Sequence, residues 1–495
     1  MRYVRDWRWI APVVCFVLIG MCWAFSTPPA AGVDEGSHYV RMIGMTQGGL
    51  IGGPVPADTQ FPGQHGEQLA RVVEESGMFE VPGDVPVPYA CNVADPAQPY
   101  NCPAPVPTGT TRLDVSYHAH YLPAAYVLPA ALSAMGTTTW RALFLGRVGF
   151  LLQDAALLAI AALALRRAVV RWSSTALGTL LLCATPLLLF QSGTLAPNGT
   201  EIIASVAFMA CLVAALRTRS RRWWWLTAAV GALTCWTRDL GTIEVAVVGS
   251  AVLLADPAGA RWAWSRRRSV DAFAAAGLVA AGIGATVWQW VLKVPLHPRV
   301  EQPSVLWGDF RYTLTLLRDS IGLLGWLNVP INPVIESAWA AAWVVGMLVL
   351  FVRAGRRTRL VALGLGIVYV LANLAMISGM RNAGFGAQSR FTLAVPIATA
   401  VILAVDQPTA RSRSRRWSAW PLAVASVIAA AGQLSGLLVS AQHNATGLGV
   451  PMQFSDVVWS PPGGWPLALT GFVIACASIL VLAPLAARNR VRPIS

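Results

Sequence analysis

Charge is scarce in this sequence. Only 12% of its 495 residues are Asp, Glu, Lys or Arg, against about 25% in an ordinary soluble domain. Hydrophobic residues make up 55%, and mean hydropathy is +0.55. That composition argues against a soluble class and for a chain whose first partner is the lipid bilayer. Lysine is nearly absent: Lys293 stands alone, and arginine carries the net charge of +14. The arginines cluster between apolar runs, where they act as topology signals and headgroup contacts. This pattern argues against nucleic acid as a partner. Also missing are a Walker loop, a Rossmann glycine pattern and a His-Glu-x-x-His zinc motif, and no lone Ser or Cys nucleophile stands out. An enzyme working on the outer face would therefore need a donor already activated in the membrane.

Of the eight cysteines, Cys15, Cys22, Cys183, Cys211, Cys235 and Cys476 lie inside apolar segments and read as small buried hydrophobes. Cys91 and Cys102 lie instead in the polar, Pro-rich stretch "YACNVADPAQPYNCPAP". If that stretch faces an oxidising compartment, they are expected to form a disulfide.

Apolar runs long enough for membrane helices occur near 9–26, 138–165, 173–190, 200–216, 224–236, 242–254, 271–292, 334–353, 359–379, 391–406, 418–439 and 466–486. The expected fold is all-α and integral to the membrane, a single polytopic domain over 1–495 with about twelve transmembrane helices. Segments 224–236 and 242–254 are short and suggest a tight hairpin around "TRDLGTIE". The N-terminal run, followed by "STPPAAG", resembles a secretory signal but reads better as an uncleaved first helix, because so many spans follow. With the N-terminus cytoplasmic, the inner loops and the segment ends bordering them hold 25 of the 37 Lys+Arg residues, as the positive-inside rule asks. All six histidines then fall on the outer side. Both termini lie inside, and the active face is extracytoplasmic in a cytoplasmic (inner) membrane. "HAHYLPAAYVLPAALSAMG" (118–136) carries Pro123 and Pro129 and reads as a helix in the outer interface, anchored by Tyr121 and Tyr126. It closes a large first extracytoplasmic loop, 27–137; a second occupies 293–333.

Candidate chemistry begins where the first apolar run ends, in "TPPAAGVDEGSHYVRMI". Asp34 and His38 are spaced i, i+4, so a helix starting near Val33 sets both on one face, with Glu35 pointing about 100° away. A carboxylate near a bilayer is costly to desolvate and is a functional candidate by default. The competing reading has Asp34 capping the helix through the N–H of Ser37. Arg147, Arg238, Arg381 and Arg390 sit near the outer ends of spans, and a guanidinium fork suits bidentate contact with phosphate. Arg381 reads as a solvated loop residue. Arg147 wants a partner, since Asp154 lies two turns away, about 10.5 Å. "TLAPNGTE" reads as a turn and helix start, with a chance glycosylation pattern at Asn198.

"VDEGSHYVR" after the first span, a long first outer loop with interfacial segments, "HYLPAAY", and Arg147 early in the second span are similar to the pattern of the GT-C superfamily of integral-membrane glycosyltransferases. More closely, "PPAAGVDEGSHY", "HAHYLPAAY", "RDSIGLLGWLNVP" and "GAQSRFTLAVP" resemble a bacterial polytopic family known as a domain of unknown function. Its members show Pro-x-x-Glu-x-x-His, Gly-Trp-Leu-Asp and Gln-Gly-Arg-Tyr signatures. Here the last two read "GWLN", ending at Asn328, and "QSRF", starting at Gln388. Asn328 reads as a structural loop residue. The GT-C resemblance implies inverting transfer of a sugar from a polyprenyl-phosphate donor to a cell-envelope glycan or lipid acceptor. On it Asp34 is the general base, with Glu35 beside it either structural or holding a divalent cation. Arg390, with Arg238 or Arg147, meets the donor phosphate, and His38, His118, Tyr121 and Gln388 orient substrates. The resemblance implies no definite cofactor, and leaves a divalent cation open.

Two other classes stay open. A transporter or flippase of an envelope precursor would fit about twelve spans, with Asp154 as its intramembrane acid, although the two halves differ in loop plan. A non-catalytic envelope-assembly scaffold would use Asp34 only as a cap.

Overall fold

A computed structural model describes residues 7–59, 66–83, 91–92, 95–102, 110–169, 172–266, 269–292, 306–382, 386–407, 419–451 and 457–487. His65, Lys293, His297 and the arginines at 411–416 lie outside the described residues.

The chain enters helix α1 (Ala11–Ser26) and then α2 (Glu35–Thr46) and α3 (Gly66–Glu75). Strands β1 (Gly77–Pro82) and β2 (Thr111–Ser116) pair antiparallel, Gly77 opposite Ser116. A 3-10 turn at Pro123–Tyr126 leads into α4 (Val127–Ser133) and then α5 (Thr139–Ala168). Next come α6 (Ser174–Leu182), α7 (Pro186–Ser192), α8 (Pro197–Thr218), α9 (Arg221–Cys235), α10 (Gly241–Ala255), α11 (Pro257–Ser265) and α12 (Ala272–Leu292). Beyond these lie α13 (Leu306–Gly322), a small ladder of β3 (Leu323–Leu324) and β4 (Val329–Pro330), α14 (Pro333–Arg353) and α15 (Arg356–Asn382). The last helices are α16 (Ala394–Val405), α17 (Trp420–Thr446) and α18 (Gly464–Ala487).

Every one of the twelve apolar segments forms helix, but the count of spans differs from the sequence expectation. Among the described residues seven helices are long and apolar enough to cross a bilayer, or up to nine if two bent pairs each count as one. The shortfall lies in α1, α9 and α16, at 16, 15 and 12 residues. At 1.5 Å per residue they reach only about 18–24 Å, against a hydrocarbon core of about 30 Å. The apolar run at 173–190 is broken at Pro186, which starts α7 at 59° to α6. Helix α8 is the centre of the molecule. Its apolar residues run all round, and nearly its whole length is buried, as an all-round apolar helix must be.

The loop 27–137 is folded around α2, which is buried from Glu35 to Gly44. Gly44 lets the ring of Phe79 lie on the helix; a Cβ there would fall 2.1 Å from Phe79 Cδ1. Gly149 on α5 does the same for the backbone of Pro129 in α4, 2.5 Å from a Cβ. These close approaches hold β1, α2 and α4 against the start of α5. Tyr126 is consequently not an interface anchor: it is fully buried, and Tyr121 also turns inward, beneath Arg238.

Candidate functional site

The turn leaving α1 fixes the position of Asp34. Ala30 and Asp34 both adopt left-handed backbone, with φ of 58° and 61°. For a non-glycine residue that costs about 1–2 kcal/mol, less for Asp than for most. Asp34 occupies the N-cap position of α2, yet its side chain makes no capping bond, so the cap reading fails. The left-handed turn carries the carboxylate away from the helix N–H groups instead. Oδ2 accepts from Arg390 Nη2 at 2.5 Å and Oδ1 from the Tyr117 hydroxyl at 3.0 Å. The Arg390 side chain is 3% exposed and that of Asp34 16%, so the carboxylate is the approachable member of the pair.

One turn along α2, His38 stacks on His118 with ring centroids 3.9 Å apart. Nδ1 of His38 bonds the Tyr126 hydroxyl at 2.7 Å, and Nδ1 of His118 bonds the Ser37 hydroxyl at 3.0 Å. Ser116 at the end of β2 donates to the Ser37 carbonyl at 2.8 Å, tying strand to helix. The expected i, i+4 relation of Asp34 and His38 thus brings them together, although the helix begins two residues later than anticipated.

Glu35 has a different role. It is fully buried and grips Arg147 bidentately, Nε to Oε1 and Nη2 to Oε2, both at 2.7 Å. Leu195 N–H donates to Oε1 at 3.1 Å. Arg147 spends its remaining donors on the carbonyls of Ala24, Thr27 and Pro28, at 2.9, 2.6 and 2.8 Å. All five of its donors are used. Arg147, expected at the donor phosphate, is therefore a pin joining α5 to the end of α1. Glu35, expected as a catalytic acid or cation ligand, is the other half of that pin.

The remaining arginines keep open donors. Arg390 Nε donates to Gln388 Oε1 at 2.7 Å, so Gln388 orients the guanidinium, while Nη1 is buried with no hydrogen-bond partner among the described residues. Arg238, in the turn between α9 and α10, donates Nη1 to Glu201 at 3.2 Å, and its Nε is likewise unpartnered. Its guanidinium lies 4.5 Å from the Phe391 ring centre, and that of Arg390 lies 5.3 Å from it. Two cations thus share one aromatic ring, each with a buried N–H lacking an acceptor. Such a donor costs about 1–3 kcal/mol when left unmade; an oxyanion would remove that cost.

Electrostatics set the resting state. Burial pushes the Asp34 carboxyl up, but the charge of Arg390 and the bonds from Arg390 and Tyr117 outweigh it and hold the group below its usual range. Burial lowers His38 and His118 well below the usual histidine value, with added repulsion between them and from Arg390 and Arg238. At neutral pH the cluster is a carboxylate beside two neutral imidazoles.

Four sequence stretches singled out above meet here. Trp326 donates its indole N–H to the Ala30 carbonyl at 3.2 Å, and Asn328 Oδ1 accepts from Trp326 N–H at 3.2 Å, which makes Asn328 a turn residue of the β3–β4 ladder. A family model described as a predicted membrane protein (DUF2142) matches residues 16–399. The chain belongs to this family. The match takes in every side chain of the cluster, from Asp34 to Phe391, so the site of this DUF2142 member lies within the family region. No curated protein matches the chain.

Away from the cluster, Cys91 and Cys102 are joined by a disulfide. Arg381, expected in solvent, pairs with Asp309, and Asn198 is buried, out of reach of any glycosylation. Sequence reasoning assigned no role to Tyr117, to Phe391 or to the side chains of Ser37 and Glu201. Tyr117 and Phe391 each adjoin a flagged residue, His118 and Arg390, and that adjacency was the only signal.

Proposed function

We propose that this protein is a GT-C-like membrane glycosyltransferase that moves a sugar from a polyprenyl-phosphate donor to an envelope glycan or lipid. The observation that carries the reading is the juxtaposition of an approachable carboxylate, Asp34, with two buried arginines that each keep an unpartnered donor. An inverting transfer needs those two elements on either side of the anomeric carbon. The acceptor hydroxyl attacks C1 and the C1–O bond to phosphate breaks. Asp34 takes the hydroxyl proton, while Arg390 and Arg238 receive the charge of the leaving polyprenyl phosphate. The Asp34–Arg390 pair is the empty-site arrangement. As Arg390 turns to the phosphate, Asp34 loses its strongest charge partner and becomes a better base. On this reading the cluster faces the extracytoplasmic side of the inner membrane, with both termini cytoplasmic. The short helices α1, α9 and α16 cross a locally thinned bilayer in a plan of about twelve spans.

The test is transfer from a polyprenyl-phosphate sugar in membranes. Asp34→Asn should abolish turnover with expression and folding intact, and unchanged turnover would sink the assignment. Arg390→Ala should weaken donor binding more than acceptor binding; equal losses would argue against a phosphate role.

One observation favours transport as a second reading. Asp154, in the middle of α5, accepts from Thr200 at 2.6 Å and has the Ser192 hydroxyl beside it, a fully buried acid with no cation paired to it among the described residues. A transporter would lose function in Asp154→Asn and keep it in Asp34→Asn, the reverse of the transferase pattern.

A further inference from the structure

We infer that Asp34, His38 and His118 form a binding site for one divalent transition-metal ion at the head of α2. The ligand atoms that these three side chains offer all lie within 4.8 Å of one another. Ligands on a single ion at about 2.1 Å stand at most about 4.2 Å apart, so sharing an ion asks these atoms to close by less than about 1 Å and the two stacked rings to splay so that both lone pairs meet it. Glu35, the cation ligand considered from the sequence, cannot serve, because Arg147 holds both of its oxygens.

The surroundings match what a metal site asks of its neighbours. A histidine that binds metal through one nitrogen almost always gives its other ring N–H to an oxygen, which fixes tautomer and ring orientation. Here the Tyr126 hydroxyl bonds Nδ1 of His38 and the Ser37 hydroxyl bonds Nδ1 of His118, so in the tautomer protonated at Nδ1 the Nε2 of each ring is left to ligate. A ligating carboxylate is in turn held by hydrogen bonds, and Asp34 has one from Tyr117 and one from Arg390. Each carboxylate oxygen carries a second lone pair, so the ion shares the carboxylate with Arg390 rather than displacing it.

Two imidazoles and one carboxylate select Mn²⁺, Fe²⁺, Co²⁺ or Zn²⁺ over Mg²⁺ and Ca²⁺, which prefer all-oxygen shells. Three protein ligands leave further positions open. An oxyanion filling one of them would stand beside Arg390, whose Nη1 is buried without a partner. The ligand class of the open position is thus a phosphate or carboxylate oxygen. This site rests on the cluster alone and not on the transferase reading.

The experiment uses untagged full-length protein, treated with chelator, exposed to Zn²⁺ or Mn²⁺, desalted and analysed for metal content with no donor or acceptor present. Wild type should retain about one equivalent of one of these ions, and His38→Ala and His118→Ala should lose affinity more than tenfold. His443→Ala, remote from the cluster and bonded to Asn92 and Pro96, should retain the full equivalent. Tyr126→Phe keeps every ligand and removes only the hydroxyl on His38, and it should bind about ten- to a hundredfold more weakly. It serves if an alanine variant fails to fold. Absence of stoichiometric metal in wild type would overturn the inference, as would wild-type affinity in either folded histidine variant or in Tyr126→Phe. Metal bound without transfer activity would leave this site standing and count only against the proposed reaction.

Discussion

Replacing Glu35 by Gln leaves the Arg147 guanidinium in a fully buried site without its counter-charge, and breaking such a pair costs about 3–5 kcal/mol. We expect Glu35→Gln and Arg147→Met to lower thermal stability and yield sharply. Asp34→Asn, at a carboxylate that is partly exposed, should cost less than Glu35→Gln; equal melting losses at Asp34 and Glu35 would contradict this division of roles. The histidines add a pH signature in chelator-treated protein. Their folded values lie below the unfolded value of about 6.5, so the unfolded chain takes up protons first as pH falls. Stability from their burial is therefore full above pH about 6.5 and declines below it. Asp34, shifted down as well but from a lower starting value, contributes above pH about 4 and loses its contribution only at lower pH. Melting temperature scanned from pH about 8 to about 5 should fall at the acid end, and a flat profile would exclude this account of the stacked pair. Asp34, His38 and Arg390 were legible because each sits in a short polar island beside an apolar run. The Glu35–Arg147 pairing was not, because 112 residues separate the partners and no local spacing encodes it.

At the scale of elements, hydropathy marked the apolar helices well, since burial in lipid or protein selects continuous apolar runs. It failed where helix formation rests on another signal. Helix α13 is amphipathic and lies in what read as an outer loop, and the break between α6 and α7 falls inside one unbroken apolar run, with Pro186 as its only mark. The β1–β2 pair and its fit on α2 depend on the ring of Phe79 finding Gly44, a contact across 35 residues of chain. Close packing of this kind is testable at Gly149, where any side chain meets the Pro129 backbone. Gly149→Val should cost about 1–3 kcal/mol, read as a lower melting temperature, and a neutral result would show that α4 does not pack on α5 as described. The disulfide predicts that thiol labelling of Cys91 and Cys102 appears only after reduction.

For the whole molecule, the family match and the helical architecture identify a polytopic membrane protein, and the cluster gives that architecture a place to do chemistry. The turn after α1, the β1–β2 pair, the β3–β4 ladder and the stretch before α16 are far apart in sequence. They meet at Asp34 because a helix bundle brings the ends of its helices to common levels. The unmet donors of Arg390 and Arg238 beside the Asp34 carboxylate are what the proposed anion would satisfy. The most direct measurement is a density map of the full-length protein in lipid nanodiscs with polyprenyl phosphate added. The account predicts a phosphate held by Arg390 and Arg238, with the Asp34 carboxylate facing it across an opening to the outer leaflet. A phosphate bound elsewhere, or a central cavity lined by Asp154 with nothing beside Arg390, would contradict it.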